Sequence, residues 1–463
     1  MFTLASPPVN AAPRRSRRAF LAGLAGSALA AAPASCVPGP AGRAGSARPR
    51  TVAIQVWLLD KSAAAQRAFA DRIVPDFRAR FPWIVPEVTW RRWGRHLEEV
   101  ESLAALGPDV FQFGYADSPS VALRSLALPL DGLWSAWGAA SDFFPACAAA
   151  PVWDGVRWGV PTGCAPTTVF WRTDILEEVG FTRLPRTWED TMEVARKATV
   201  IEGGKLMREG MGPATADETM MLFMAIGGRP VVVKGRSALG DTDGRETLRY
   251  AVERWRVSRG SRLGLEPPRS EVSYLVRGML AGRYGNAAST LLHFVTGAPD
   301  LLDRVAVGDP PVPGGGDYKP ADGSASVPVV QTFTDSLGLS PFGREPDAAW
   351  EFVKHVASPD ALLLYCESLF LTPPRRSATG RGYALRFQNA KLVALLDRWG
   401  VAAPKMPGLA GFRSAIARAL PSLFEGRIGI EQGLAAIVAE QNAALEAEGF
   451  NGEITGPEGI RAI

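Results

Sequence analysis

The run Thr51–Leu58 is β-branched and aromatic, and Ala65, Phe69, Ile73 and Phe77 then recur at helical spacing, which predicts a strand followed by a helix over Ala63–Phe81. Val85–Trp90 reads as a second strand, Leu97–Leu106 as a helix and Pro108–Phe113 as a third strand. Elements therefore alternate as in a parallel α/β sheet. A helix over Ser118–Ser125, a Trp-rich hairpin over Trp153–Pro161 and a strand over Thr168–Trp171 lead to a helix over Asp174–Val179. Thr187 is placed to cap the next helix, with Asp190 three residues on to return the bond. Further helices are expected over Glu246–Arg259, Ser270–Ala281, Pro346–Ala357, Pro359–Phe370, Leu385–Gly400, Gly411–Leu420 and Ile430–Glu448. Pro310–Pro320, with three consecutive glycines, reads as a crossover or surface loop. No internal period recurs, which excludes a solenoid or propeller.

Composition narrows the function. With 463 residues, 47% of them hydrophobic and 21% charged, the chain can build two or three cored domains. Its net charge of +4 is deceptive, because the first 50 residues hold seven arginines and no acid. The remainder is slightly acidic, so a nucleic-acid partner is not expected. Four Cys and three His show no CxxC, HxxxH or CxH pair, so neither a metal site nor a cofactor is expected. Ser16-Arg17-Arg18-Ala19-Phe20-Leu21, followed by small apolar residues, resembles a twin-arginine export signal. The apolar run is shorter than the roughly 20 residues of a membrane span. Residues 1–36 thus read as an export signal, ended either by cleavage after Ala28-Leu29-Ala30 or by lipidation of Cys36 as in a lipoprotein. The mature protein is expected in the periplasm or outside the cell, soluble or lipid-anchored to the outer face of the cytoplasmic membrane. There Cys147 and Cys164 could bridge, or could stay with Cys366 as buried thiols.

The order of several short segments resembles a known family. Val56-Trp57, Gly107-Pro108-Asp109-Val110 and Leu128-Pro129-Leu130-Asp131 come first, then Trp158-Gly159-Val160-Pro161 with Phe170-Trp171-Arg172-Thr173-Asp174. Gly180-Phe181 with Pro185-Arg186-Thr187-Trp188-Glu189, then Met279-Leu280-Ala281-Gly282-Arg283, Ala348–Lys354 and Thr372-Pro373-Pro374-Arg375 complete the series. The chain resembles the maltose-binding-like extracellular solute-binding proteins of carbohydrate-type ABC importers. That resemblance implies an α/β fold of two lobes, a hinge and a central ligand cleft. Lobe one would comprise residues 51–160 and 305–370, and lobe two residues 161–304 and 371–463, with crossings near 159–162, 305–311 and 371–374. It also implies a monomer that binds a sugar, polyol or sugar derivative and docks on membrane permease subunits.

A sugar presents hydroxyls in the ring plane and C–H patches on its faces, so its pocket needs aromatic platforms beside planar polar groups. Thirteen Trp and seven Tyr suit that purpose. Trp57 ends the first strand, where open α/β sheets place ligands. Phe113, Tyr115 and Asp117 follow the third strand at its corresponding end. The resemblance adds Asp60 and Lys61, a charged pair suited to hydroxyls, and the small polar positions Thr162, Cys164 and Thr167. Relatives have a Trp platform after Gly282-Arg283 that this chain lacks, leaving Asn286, Ser289 and His293 as substitutes. Arg375 could fork onto a ligand anion or onto an acidic neighbour. Competing readings are an exported hydrolase, whose two carboxylates could be Asp60 and Asp117, and a ligand-sensing partner of a membrane receptor. Against an enzyme, no GxSxG, HExxH or GxxxxGK[ST] motif is present.

Overall fold

The computed structural model describes residues 50–103, 107–226, 228–258, 280–314, 325–380 and 388–449, with 275, 277 and 278. The export leader, most of the expected 270–281 helix and residues 315–320 lie outside the described residues. The main sheet is built from β1 (Val52–Leu59), β2 (Ile84–Arg91), β3 (Val110–Gly114), β4 (Val160–Arg172), β5 (Gly282–Asn286), β6 (Val305–Gly308), β7 (Val330–Leu339) and β8 (Gly400–Ala402). Its order is β5-β4-β7-β3-β1-β2, with β6 also paired to β4 and β8 to β7. The first three strands are parallel as the alternation predicts, but β7 runs antiparallel to both β3 and β4. The sheet is therefore mixed.

Local chemistry explains several elements directly. Thr187 Oγ1 accepts from the Asp190 N–H at 3.0 Å and the Asp190 carboxylate accepts from the Thr187 N–H at 3.3 Å, so the capping box forms. The first long helix is α-helical over Ala63–Ala68 and Val74–Arg80 with a π-turn at Phe69–Ile73 between them. Pro75, which has no N–H to donate, follows that turn. The expected strand at 168–171 is only the end of a 13-residue strand whose every residue is buried. Burial on both faces erases the polar alternation by which a strand is recognised.

Two large cores lie at opposite ends of the long strands β4 and β7. One gathers Ile54, Val56 and Leu58 of β1 with Phe69 and Phe77, the helices Pro346–Val356 and Pro359–Leu369, and Val160, Ala165 and Leu337. The other gathers Val169, Trp171 and Val329 with the helices Trp188–Lys197, Ala216–Ala225, Thr242–Ser258 and Leu409–Phe424. The backbone passes from one core to the other along β4 and along β7. Of the segment expected to cross at 305–311, β6 pairs with Val169–Arg172 of β4, while β7 pairs with both β3 and β4. Near the third expected crossing, Thr372 bridges to Cys164 of β4.

Candidate functional site

Phe333 and Asp335 share one face of β7, where Phe333 packs with the first core and meets Tyr115, which packs with the second. Lys61, in the loop after β1, makes an ion pair with Asp335, and its ammonium lies 5.5 Å from the centre of the Trp93 ring. Trp93 is open to solvent, at 53% exposure; Gly114 lets it close in, because a Cβ there would overlap the indole. The Tyr115 ring meets Phe333 edge-on at 4.9 Å and packs against the second core. Its phenol pKa is pushed up to about 12, chiefly by burial; Arg413 opposes the shift while Asp217 and Asp117 add to it. Arg413 and Asp217 form an ion pair on two helices of the second core. Tyr115 thus spans from the first half of the molecule to charged groups of the second.

Of the other sequence-predicted residues, Asp117 accepts from the Gly114 N–H at 2.9 Å and lies 3.2 Å from His96 Nε2. Asp60 is exposed and accepts from Gln66 Nε2 at 3.0 Å. Asn286 caps the helix Ala287–Gly297 by accepting from the Ser289 N–H. Ser289 and His293 are exposed on that helix, where His293 Nδ1 lies 2.8 Å from the Ser289 carbonyl oxygen.

Trp57, Phe113, Thr162, Arg375 and Cys164 are each packed or hydrogen-bonded within the protein. Trp57 is 5% exposed and packs with Leu97, Val100, Phe111 and Val121, its ring covered at 4.0 Å by the Arg91 guanidinium. The strand ends where expected, but helices cover this face of β1. Phe113 is fully buried, its ring filling the space that side chains at Gly159 and Gly338 would need. Thr162 is fully buried and donates to the Asp335 carbonyl. Arg375 Nε donates to Asp142 Oδ2 at 2.7 Å and its Nη1 to the Ala357 carbonyl at 2.7 Å, so its fork is occupied by the protein. Burial works to raise the Asp142 pKa, but bonds from Ser377 and Arg375 hold it below the usual carboxylate range.

Cys164 is also inside, donating to the Thr372 carbonyl at 3.2 Å. Cys147, Cys164 and Cys366 are buried free thiols, with Cys147 within hydrogen-bonding reach of Cys164. Burial, and for Cys164 the contact with Cys147, push the Cys164 and Cys366 thiols well up. Since the thiolate is the nucleophile, iodoacetamide should label these three cysteines slowly in the native protein and fully after denaturation. Mass spectrometry checks this; rapid native labelling, or two labels missing after unfolding without reductant, would contradict it.

Sequence reasoning passed over Trp93, Asp217, Phe333, Asp335 and Arg413. An exposed Trp within Arg91-Arg92-Trp93-Gly94-Arg95 was a usable signal; the others come together only through long-range folding.

One sheet threads two cores, with Tyr115, Phe333 and the Lys61–Asp335 pair where they meet, an α/β architecture of two lobes. A family model described as bacterial extracellular solute-binding protein matches residues 100–362, and the chain belongs to that family. Among solved structures it is similar to the sugar-binding protein MalE from Xanthomonas citri, at TM-score 0.72 and 17% identity over 86% of this chain and 98% of that one. It is also similar to the cyclic α-maltosyl-1,6-maltose binding protein from Arthrobacter globiformis, at TM-score 0.68 and 17% identity over 86% and 99%. The GacH receptor of Streptomyces glaucescens follows at TM-score 0.67 and 16% identity over 85% and 99%. No curated protein sequence matches the chain. Among the described residues no helix is long and apolar enough to cross a membrane.

Proposed function

We propose that the protein is the receptor of an ABC importer, binding a sugar, polyol or sugar derivative between its lobes and delivering it to membrane permease subunits as a monomer. The leader at residues 1–36 would direct export by the twin-arginine route, with the mature form released or anchored through Cys36. The observation that carries the ligand class is a set of neighbouring side chains: Tyr115 edge-on to Phe333, exposed Trp93, and the pairs Lys61–Asp335 and Arg413–Asp217. Aromatic faces suit ring C–H groups, and charged pairs make the stronger bonds to hydroxyls. The similar proteins from X. citri and A. globiformis bind sugars, and GacH was crystallised with acarbose. Tyr115 reaches the second core from the first, so a ligand beside it would touch both lobes and favour the closed form.

A binding role rather than hydrolysis is supported by the positions of Asp60 and Asp117. Asp60 accepts from Gln66, and Asp117 accepts from the Gly114 N–H and lies beside His96. A thermal-shift screen against neutral sugars, polyols and sugar phosphates tests the reading, because a ligand at 100 times its Kd stabilises by about 2.7 kcal/mol. At least one sugar or polyol should raise Tm and be recovered chemically unchanged. No shift from any of them would contradict sugar binding, and hydrolysis of the stabilising sugar would make the protein an enzyme.

A further inference from the structure

The strands that join the two cores hold buried polar side chains without partners. Thr167 is 7% exposed and Gln331 is 1% exposed, yet Thr167 Oγ1 and Gln331 Oε1 have no hydrogen-bond partner among the described residues. Leaving such an atom buried and unpaired costs stability, so each unpaired group calls for a reason.

Their placement supplies one. Asn286 of β5 pairs with Thr167 of β4, and Pro166 pairs with Thr332 of β7. Gln331 therefore stands beside Thr167, and Asn286, Thr167 and Gln331 form a polar row across three neighbouring strands. Side chains two apart in a strand share a face, so Gln331 lies on the face of Phe333 and Asp335, which meet Tyr115 and Lys61. On the same face, Val329 and Val169 belong to the second core, while Ala165 and Phe333 pack with the first. The row lies where one core ends and the other begins.

We propose that Thr167 and Gln331 are the polar floor of the cleft and bond ligand hydroxyls there, Gln331 accepting through its Oε1 and Thr167 donating or accepting through its hydroxyl. This rests on the sugar-binding reading and names residues that would set specificity within it. A floor that bonds hydroxyls discriminates strongly, since an analogue lacking one leaves the buried group unpaired.

The test uses Gln331→Leu, Thr167→Val and Thr167→Ser, with maltose, mannobiose and D-tagatose as probes in calorimetric titrations and with Tm measured on the ligand-free protein. Gln331→Leu and Thr167→Val should each weaken the sugar that the wild type binds by about tenfold, with Tm unchanged or raised. Thr167→Ser should bind as the wild type does. A lowered Tm for both apolar variants would make the row structural and overturn the proposal. Unchanged Tm with unchanged Kd would overturn it too, as groups that face only solvent. If the wild type binds none of the probes, the sugar reading fails and the floor with it; binding that ignores the substitutions sinks the floor alone.

Discussion

Tyr115→Ala is expected to weaken sugar binding by about thirtyfold, the roughly 2 kcal/mol that loss of a central aromatic anchor costs. The ring meets Phe333 at 4.9 Å on one side and lies close to Arg413 and Asp217 on the other. Its removal takes away both a platform and the contact between the first half of the molecule and the second core. Trp57→Ala should behave in the opposite way. Trp57 is enclosed by Leu97, Val100, Phe111 and Arg91, so truncation should destabilise the fold by about 3–5 kcal/mol and leave the Kd of the folded protein unchanged. Denaturation and calorimetry on both variants separate the two roles; a weakened Kd for Trp57→Ala at full stability would return that residue to the cleft.

The second large effect is expected at Arg254, which is fully buried in the second core. Its Nη1 donates to Glu218 Oε1 at 2.6 Å and its Nη2 to the Gly212 carbonyl at 3.1 Å. Arg254→Ala should cost about 3–5 kcal/mol, because it strands the Glu218 carboxylate away from water. Burial already raises the Glu218 pKa against the pull of Arg254, and losing the cation raises it further. A folded pKa above the unfolded value means that stability is fullest below the unfolded pKa and falls as pH rises through the folded one. The variant's deficit should therefore be smaller near pH 5 than at pH 8. Pairing the change with Glu218→Gln should recover part of the loss, and urea unfolding of the three proteins at both pH values checks each point.

What the sequence made legible follows the range of the forces involved. The Thr187–Asp190 capping box and the helical spacing of Phe69, Ile73 and Phe77 are set within a few residues, and both are present in the fold. Trp57 shows where local reading stops. Its place at the end of β1 was correct, but which helices cover that face depends on Leu97 and Val121, far along the chain. The pairing of β7 with both β3 and β4 is hidden from the sequence for a related reason. Val330-Gln331-Thr332-Phe333-Thr334-Asp335 is buried on both sides, so its alternation carries no inside and outside. Within the site, Tyr115 was readable from its strand end, whereas Asp217 and Arg413, 196 residues apart in the chain, acquire meaning only once their helices pack together. The Arg375 fork is equally ambiguous in the sequence, because its partner Asp142 lies far along the chain.

The central claim is that a sugar binds between the two cores against Tyr115. Calorimetric titration of the purified protein and of Tyr115→Ala with maltose, mannobiose and D-tagatose tests it most directly. One-to-one saturable binding of at least one sugar by the wild type, weakened about thirtyfold in the variant, is the predicted result; no binding by the wild type, or equal binding by both proteins, would contradict it.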